Sequence, residues 1–206
     1  MIDSRRFFYR AATLLAILLT ASLQGCGSSP PASFYTLSPS PLTPIDSVFD
    51  ADVTVGPIFI PDYLNRPQIV TRRDGSELKL AEFDRWAEPL DESFQRMLTT
   101  NIGTLLDSDR VIGYPTKGNF GLKYQVVVDI LRFDADQRGN AVLDVGWGIL
   151  DVNRDRATRA RSGRFESRAS NANDYNQIVA AMDDTISQLS VAIARSLIEI
   201  ENREAQ

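Results

Sequence analysis

Two hydrophobic periods alternate along this chain. Val53, Val55, Ile58 and Ile60 follow a strand-like spacing that Gly56-Pro57 interrupts, which predicts a strand with a bulge or an edge break. Pro61-Asp62-Tyr63-Leu64-Asn65 predicts a turn, and Gln68-Ile69-Val70-Thr71-Arg72 a strand. Asp74-Gly75 signals a hairpin that returns through residues 77–80. Glu88-Pro89 then opens a helix, with proline at its first position and Leu90, Phe94, Met97, Leu98, Ile102 and Leu105 on one face. In the second half Tyr124, Val126, Val128 and Ile130 alternate with Lys123, Gln125 and Asp129, a half-buried strand. A polar turn is expected at 134–140. Residues 141–151 form the next strand, with Leu143, Val145, Trp147 and Ile149 on one side. Asn153-Arg154-Asp155 turns the chain into a strand at 158–168. Tyr175, Ile178, Val179, Met182, Ile186, Leu189, Ile193 and Leu197 return to the helical period, behind Asn173 or Asp174 as N-cap. This order predicts an α+β fold: two helices packed on one face of a mainly antiparallel sheet, a single domain over residues 51–206.

The first fifty residues follow neither period. Arg5, Arg6 and Arg10 precede an apolar run at 11–19, far too short to span a bilayer, so residues 1–25 read as a signal peptide. Leu23-Gln24-Gly25-Cys26 resembles the lipobox of bacterial lipoproteins, with Gln24 in place of the usual small or apolar residue. On that reading Cys26 carries N-acyl and S-diacylglycerol lipid; the plainer alternative is a secretory signal with an incidental cysteine. Gly27 follows, where an aspartate would resemble an inner-membrane retention signal, and this favours the outer membrane. Ser4-Arg5-Arg6-Phe7-Phe8 also resembles a twin-arginine export motif, so the export route stays open. Residues 26–50 read as a tether: five prolines and five serines lie between positions 27 and 44, an extended composition. Phe34-Tyr35-Thr36-Leu37 interrupts it as a short edge strand or a partner-binding strand.

Composition narrows the chemistry. The chain has 206 residues, 43% hydrophobic and 24% charged, within the ordinary globular range. It holds no histidine and one cysteine, which removes Ser-His-Asp and Cys-His mechanisms, His-ligated metals and an intrachain disulfide. Residues 1–25 carry three Arg and one Asp, so their removal takes the formal charge from −5 to −7. An acidic chain of this kind is a poor nucleic-acid binder. The carboxylate pairs Asp134/Asp136, Asp151/Asp155 and Asp183/Asp184 read as solvated turns and helix faces. Arg154, Arg156, Arg159, Arg161, Arg164 and Arg168 read either as a charged, solvated edge strand or as a contact for lipid phosphate or an acidic partner. In that strand Arg159 and Arg161 share one face, and Arg164 and Arg168 the other.

Two segments stand apart, Tyr63-Leu64-Asn65-Arg66-Pro67-Gln68-Ile69-Val70 and Arg85-Trp86-Ala87-Glu88-Pro89-Leu90. Aromatic and arginine side chains beside turns serve equally as interface hot spots or as structural clamps. Together with the FYTL strand behind a lipobox, the tracts YLNRPQIV and RWAEPL resemble the PqiC-like (YmbA-type) lipoproteins, the auxiliary components of ABC-type transporters that work with MCE-domain proteins. The resemblance runs in order and spacing from Cys26 nearly to the C-terminus; Asn65 stands where the family more often has Asp. It implies a non-catalytic lipoprotein, anchored in the outer membrane and facing the periplasm. Such a protein docks the distal end of an MCE-domain lipid transporter and supports envelope integrity. It also implies Tyr63, Arg66, Arg85 and Trp86 as partner-binding positions, several copies around a ring-shaped partner, and no cofactor beyond the Cys26 lipid. Two other roles stay open on the residues alone: assembly of another outer-membrane system, such as lipopolysaccharide or a secretion channel, and carboxylate-based hydrolysis in the periplasm.

Overall fold

The computed structural model describes residues 13, 31–73, 75–116, 121–154 and 156–204, the last including 156–159 and 204 by backbone alone. The signal segment (apart from Thr13), Cys26, Asp74 and Asp155 lie outside the described residues. A compact unit begins at Ala32. Its elements are β1 (Ser33–Tyr35), β2 (Val53–Phe59), β3 (Gln68–Arg72), β4 (Leu78–Trp86), α1 (Leu90–Leu105), β5 (Val111–Gly113), β6 (Tyr124–Asp136), β7 (Asn140–Asp151), β8 (Arg156–Arg168) and α2 (Tyr175–Glu204).

One eight-stranded sheet is built around β6. Along one edge β6 pairs antiparallel with β7, from Tyr124↔Asp151 to Ala135↔Ala141, and β7 pairs in turn with β8. The other edge of β6 is shared. Parallel strand β2 takes its first half, from Val53↔Tyr124 to Phe59↔Asp129, and parallel strand β3 takes its end at Thr71↔Ala135 and Arg72↔Asp136. Strand β5 extends β2, while β4 and then β1 extend β3. The expected α+β architecture holds, with long antiparallel ladders and short parallel ones in the same sheet.

Both helices cover one face. The apolar stripe of α1 is buried from Leu90 to Leu105 as the spacing required, and Phe94 meets Phe133 of β6 edge-on at 5.6 Å. Pro89 stands at the N-cap, one position before the first helical residue, so its missing N–H costs the helix nothing. Asp174 caps α2 by accepting the Asn176 backbone N–H at 2.9 Å. At 30 residues and about 1.5 Å per residue, α2 crosses β6, β7 and β8 and still packs on α1. Asn101 of α1 donates to Ser190 of α2 at 3.2 Å, the polar contact in an otherwise apolar seam.

Three differences from the sequence pattern matter. Residues 32–50 run over the domain and not clear of it: Leu37 is buried, Leu42, Ile45 and Phe49 are half-buried, and the Ile45 N–H donates to the Leu105 carbonyl. Strand β5 carries little hydrophobic signal of its own. Finally, one acid of each pair read as solvated is buried, while Asp136 is half-buried and Asp184 is exposed as expected. Strand β6 continues to Asp136 because a bulge between Ile130 and Arg132 resets its alternation. Phe133 and Ala135 therefore face the helices, and Asp134 enters the opposite face with no exposed surface. Arg72 from β3 holds its carboxylate at 2.7 Å, and Arg132 from β6 at 2.8 Å. Asp151 is buried at the end of β7, accepting the N–H groups of Asn153 and Arg154. Asp183 is buried in α2.

Asp134→Ala is expected to lower the unfolding free energy by about 2–3 kcal/mol in urea denaturation. That is less than for a fully enclosed ion pair, because the two stranded guanidinium groups can turn to water.

Candidate functional site

The three sequence motifs meet at one end of the sheet. Strand β1 lies parallel to the end of β4, in the register Ser33↔Asp84, Phe34↔Arg85 and Tyr35↔Trp86. Every residue from 35 to 38 is then tied to the β4–α1 junction or to α2. The Tyr35 carbonyl accepts the Ala87 N–H at 2.8 Å, and its hydroxyl donates to Asp84 at 2.9 Å while the ring leans on Tyr175. Thr36 Oγ1 donates to Glu88 at 2.9 Å, and the Leu37 N–H donates to Ser93 Oγ at 3.3 Å. The Ser38 N–H reaches Asp183 Oδ1 at 3.3 Å.

Electrostatics along this seam differ from one acid to the next. Glu88 is gripped by the Arg96 fork and takes the Thr36 hydroxyl, which together hold its carboxyl down to about 2. Asp183 has no cation. Burial pushes it up to about 7, and the single N–H from Ser38 only partly opposes this.

On the other side of β4 lies the turn at 61–67, anchored by buried Leu64. The Trp86 N–H donates to the Pro67 carbonyl at 2.6 Å, and Gln68 pairs with Arg85 across the strands. A cleft of about 340 Å³ opens between this turn, at Asn65, Arg66 and Pro67, and residues 86–90. Arg66 Nε is buried there without a hydrogen-bond partner.

The structure separates the four residues that the motifs singled out. Arg66 and Trp86 line the same cleft. Trp86 is only 5% exposed, a core residue that shows one edge. Arg85 is half-buried beside the exposed Phe34 ring, on the opposite side of the sheet from Trp86, with its Nε donating to the Glu82 carbonyl at 3.1 Å. Tyr63 belongs to another cluster, that of Asp134, Arg72 and Phe133; burial first, and then the Asp134 charge, push its phenol up. Within the expected strand at 34–37, the residue not singled out is Phe34, 66% exposed on the edge strand. Its signal was available in strand parity, because Tyr35 and Leu37 turn inward and leave Phe34 facing out.

The arrangement of an exposed aromatic ring, arginines and a cleft is suited to binding. Among the described residues no cluster of three or more metal-ligating side chains occurs, and no helix is long and apolar enough to cross a membrane. The expected edge-strand reading of the arginine segment also holds for its described side chains. Strand β8 pairs on one side only, Arg161 reaches Glu199 of α2, and Arg164 pairs with Asp144 on the other face.

A family model for the ABC-type transport auxiliary lipoprotein component matches residues 35–194, an interval that opens at Tyr35 in the clamped strand. Among solved structures, the chain is similar to protein XCC0632 from Xanthomonas campestris, with 16% identity, a TM-score of 0.72, and coverage of 84% of this chain and 99% of that one. It is also similar to an uncharacterized protein, with 21% identity, a TM-score of 0.67, and coverage of 82% and 99%. At these identities the likeness shows a shared fold. No curated protein matches the chain.

Two outcomes are expected at this site. Trp86→Ala should cost about 3–5 kcal/mol in chemical denaturation, whereas Arg85→Ala should stay within about 0.5 kcal/mol. Asp183 binds a proton in the native state that the unfolded chain has released above about pH 4, so its contribution is full below that pH and is lost as pH rises through about 7. Asp183→Asn keeps an acceptor for Ser38 and removes the titration. The melting temperature of the wild type should therefore fall relative to Asp183→Asn as pH rises from about 5 to about 8.

Proposed function

We propose, because the chain belongs to the family of ABC-type transport auxiliary lipoprotein components, that it is a non-catalytic lipoprotein of the outer membrane, facing the periplasm. Its folded domain docks an MCE-domain periplasmic protein that carries lipid between membranes, and the docking sustains envelope integrity. The observation that supports this reading is the convergence of the three motifs on one sheet edge. There the exposed ring of Phe34 stands beside Arg85 on one side of the sheet, and Arg66 and Trp86 line a separate cleft of about 340 Å³. An aromatic and an arginine on a rigid, hydrogen-bonded edge are the side chains that most often carry interface energy.

The anchor favours the same edge. Six residues separate the lipid-bearing Cys26 from Ser33 at the start of β1, and those seven backbone steps can reach no more than about 25 Å. A domain so tethered presents its β1 edge near the membrane at which a transport tunnel would end. Several copies side by side would suit a ring-shaped partner.

The test is affinity capture of the full lipidated chain from detergent-solubilised envelopes, with mass spectrometry as readout. An MCE-domain protein is expected with the wild type and with Cys26→Ala, since docking lies in the folded domain. Phe34→Ser combined with Arg85→Glu is expected to reduce its recovery by about tenfold or more with an unchanged melting temperature. Recovery of lipopolysaccharide-assembly or secretion-channel proteins, with no MCE-domain protein, would overturn the reading.

A further inference from the structure

At the far end of β6 from Tyr124, the β3–β4 hairpin and the β6–β7 turn enclose an open cleft of about 470 Å³. Four arginines line it: Arg72 and Arg73 from the end of β3, Arg132 from β6, and Arg138 from the turn. Such a gathering of guanidinium groups is unexpected in a chain with a formal charge of −5.

Each arginine stands differently toward its neighbours. Arg72 and Arg132 are fixed, since both converge on the carboxylate of Asp134, which is fully buried between them. That carboxylate takes two donors from each, by Nε and one terminal nitrogen. A guanidinium has five N–H donors, so both retain donors, and both side chains stay about one-fifth exposed toward the cleft. Arg73 meets Glu77 at 3.1 Å, with more than half of each side chain in water, a contact that exchanges readily. Arg138 is exposed and lies within reach of the Asp136 charge, with no side-chain hydrogen bond or ion pair among the described residues.

The acid within the lining is already committed. Asp136 accepts the N–H groups of Arg138 and Asn140 at 2.8 and 2.9 Å and the Asn140 amide at 2.7 Å, which shapes the turn and leaves the cleft to donors. Among the described residues Asp134, Asp136, Glu77 and, farther off, Asp144 stand against the four arginines, so attraction rests on directed N–H groups more than on a net field. The cleft continues into a second, mostly polar one of about 590 Å³, which shares Arg72, Arg73, Asp136 and Gln137 and takes its apolar surface from Tyr175 and the edge of Ile178 on α2.

From these contacts we infer that the cleft is a binding site for a phosphate oxyanion. Arg72 and Arg132 form its preorganised floor, and Arg73 and Arg138 close on the ligand from the rim. The oxyanion belongs either to a phospholipid headgroup, whose chains would lie along Tyr175 and Ile178, or to a soluble phosphate. The assignment goes beyond the docking role and does not depend on it, because its test involves no protein partner.

The full lipidated chain, held in nonionic detergent, is titrated with inorganic phosphate and followed by 31P NMR. Saturable binding is expected, weakened about tenfold by either Arg73→Ala or Arg138→Ala, both exposed positions whose loss leaves the fold intact. Arg161→Ala on β8 is the control and should bind as the wild type does. Competition then identifies the source. Displacement by phosphatidylglycerol in the micelles at a lower total concentration than by free glycerophosphoglycerol assigns a lipid headgroup, and displacement by the two at equal concentration assigns a soluble phosphate. Absence of saturable binding, or equal affinity in wild type, Arg73→Ala and Arg138→Ala, would overturn the site.

Discussion

Everything in this domain is hung on the two edges of strand β6. One edge is a single long antiparallel ladder with β7, broken only by the bulge between Ile130 and Arg132, and β8 extends it. The other must serve two strands in parallel, β2 beside its first half and β3 beside its end. That division leaves the segment between β2 and β3 to cross over as the turn at 61–67, the stretch that carries the tract YLNRPQIV. It also sends β4 and β1 outward from β3, so that the FYTL and RWAEPL segments come together at the sheet's margin. The meeting of three distant motifs is a consequence of how one long strand shares its backbone hydrogen bonds.

Charge is handled unevenly across that framework, and the unevenness separates structural from available groups. Asp134 sits with two guanidinium partners on the face opposite the helices and ties β3 to β6 where their shared ladder is only two residue pairs long. Glu88 has Arg96, in partly exposed surroundings where such a pair adds little stability but orients the helix entry. Asp183 has a backbone N–H and no cation, at the point where the N-terminal segment crosses α2. The first arrangement is a fastening, the second a guide, and the third is sensitive to protonation. The arginines that hold Asp134 also keep donors in reserve at the cleft, so one buried acid both closes the sheet and positions cations at its end.

The N-terminal segment shows how a tether-like composition can still be part of the fold. Its prolines and serines forbid a helix or a central strand, and residues 31–50 hold neither. They do not forbid an extended chain from donating and accepting at a sheet margin. Leu37, Leu42, Ile45 and Phe49 give it enough apolar contact to stay there. The compact unit thus opens at Ala32, ahead of β1.

Both helices, their buried faces, the β3–β4 hairpin and the strands β6, β7 and β8 were legible in the amino-acid order alone. Period and turn chemistry act within ten to twenty residues, and composition alone removed histidine and disulfide chemistry. What stayed hidden was non-local. Strand β5 is held by β2 and by α1, not by a pattern of its own. The burial of Asp134 depends on a bulge and on an arginine some sixty residues away. The candidate positions divided for the same reason: Arg66 and Trp86 share a cleft and Arg85 joins Phe34 outside it, while Tyr63 turns to Asp134. Residue types announce which side chains are able to bind. Which of them share a surface is decided by strand register and by the face each one takes, and these exist only once the sheet has closed.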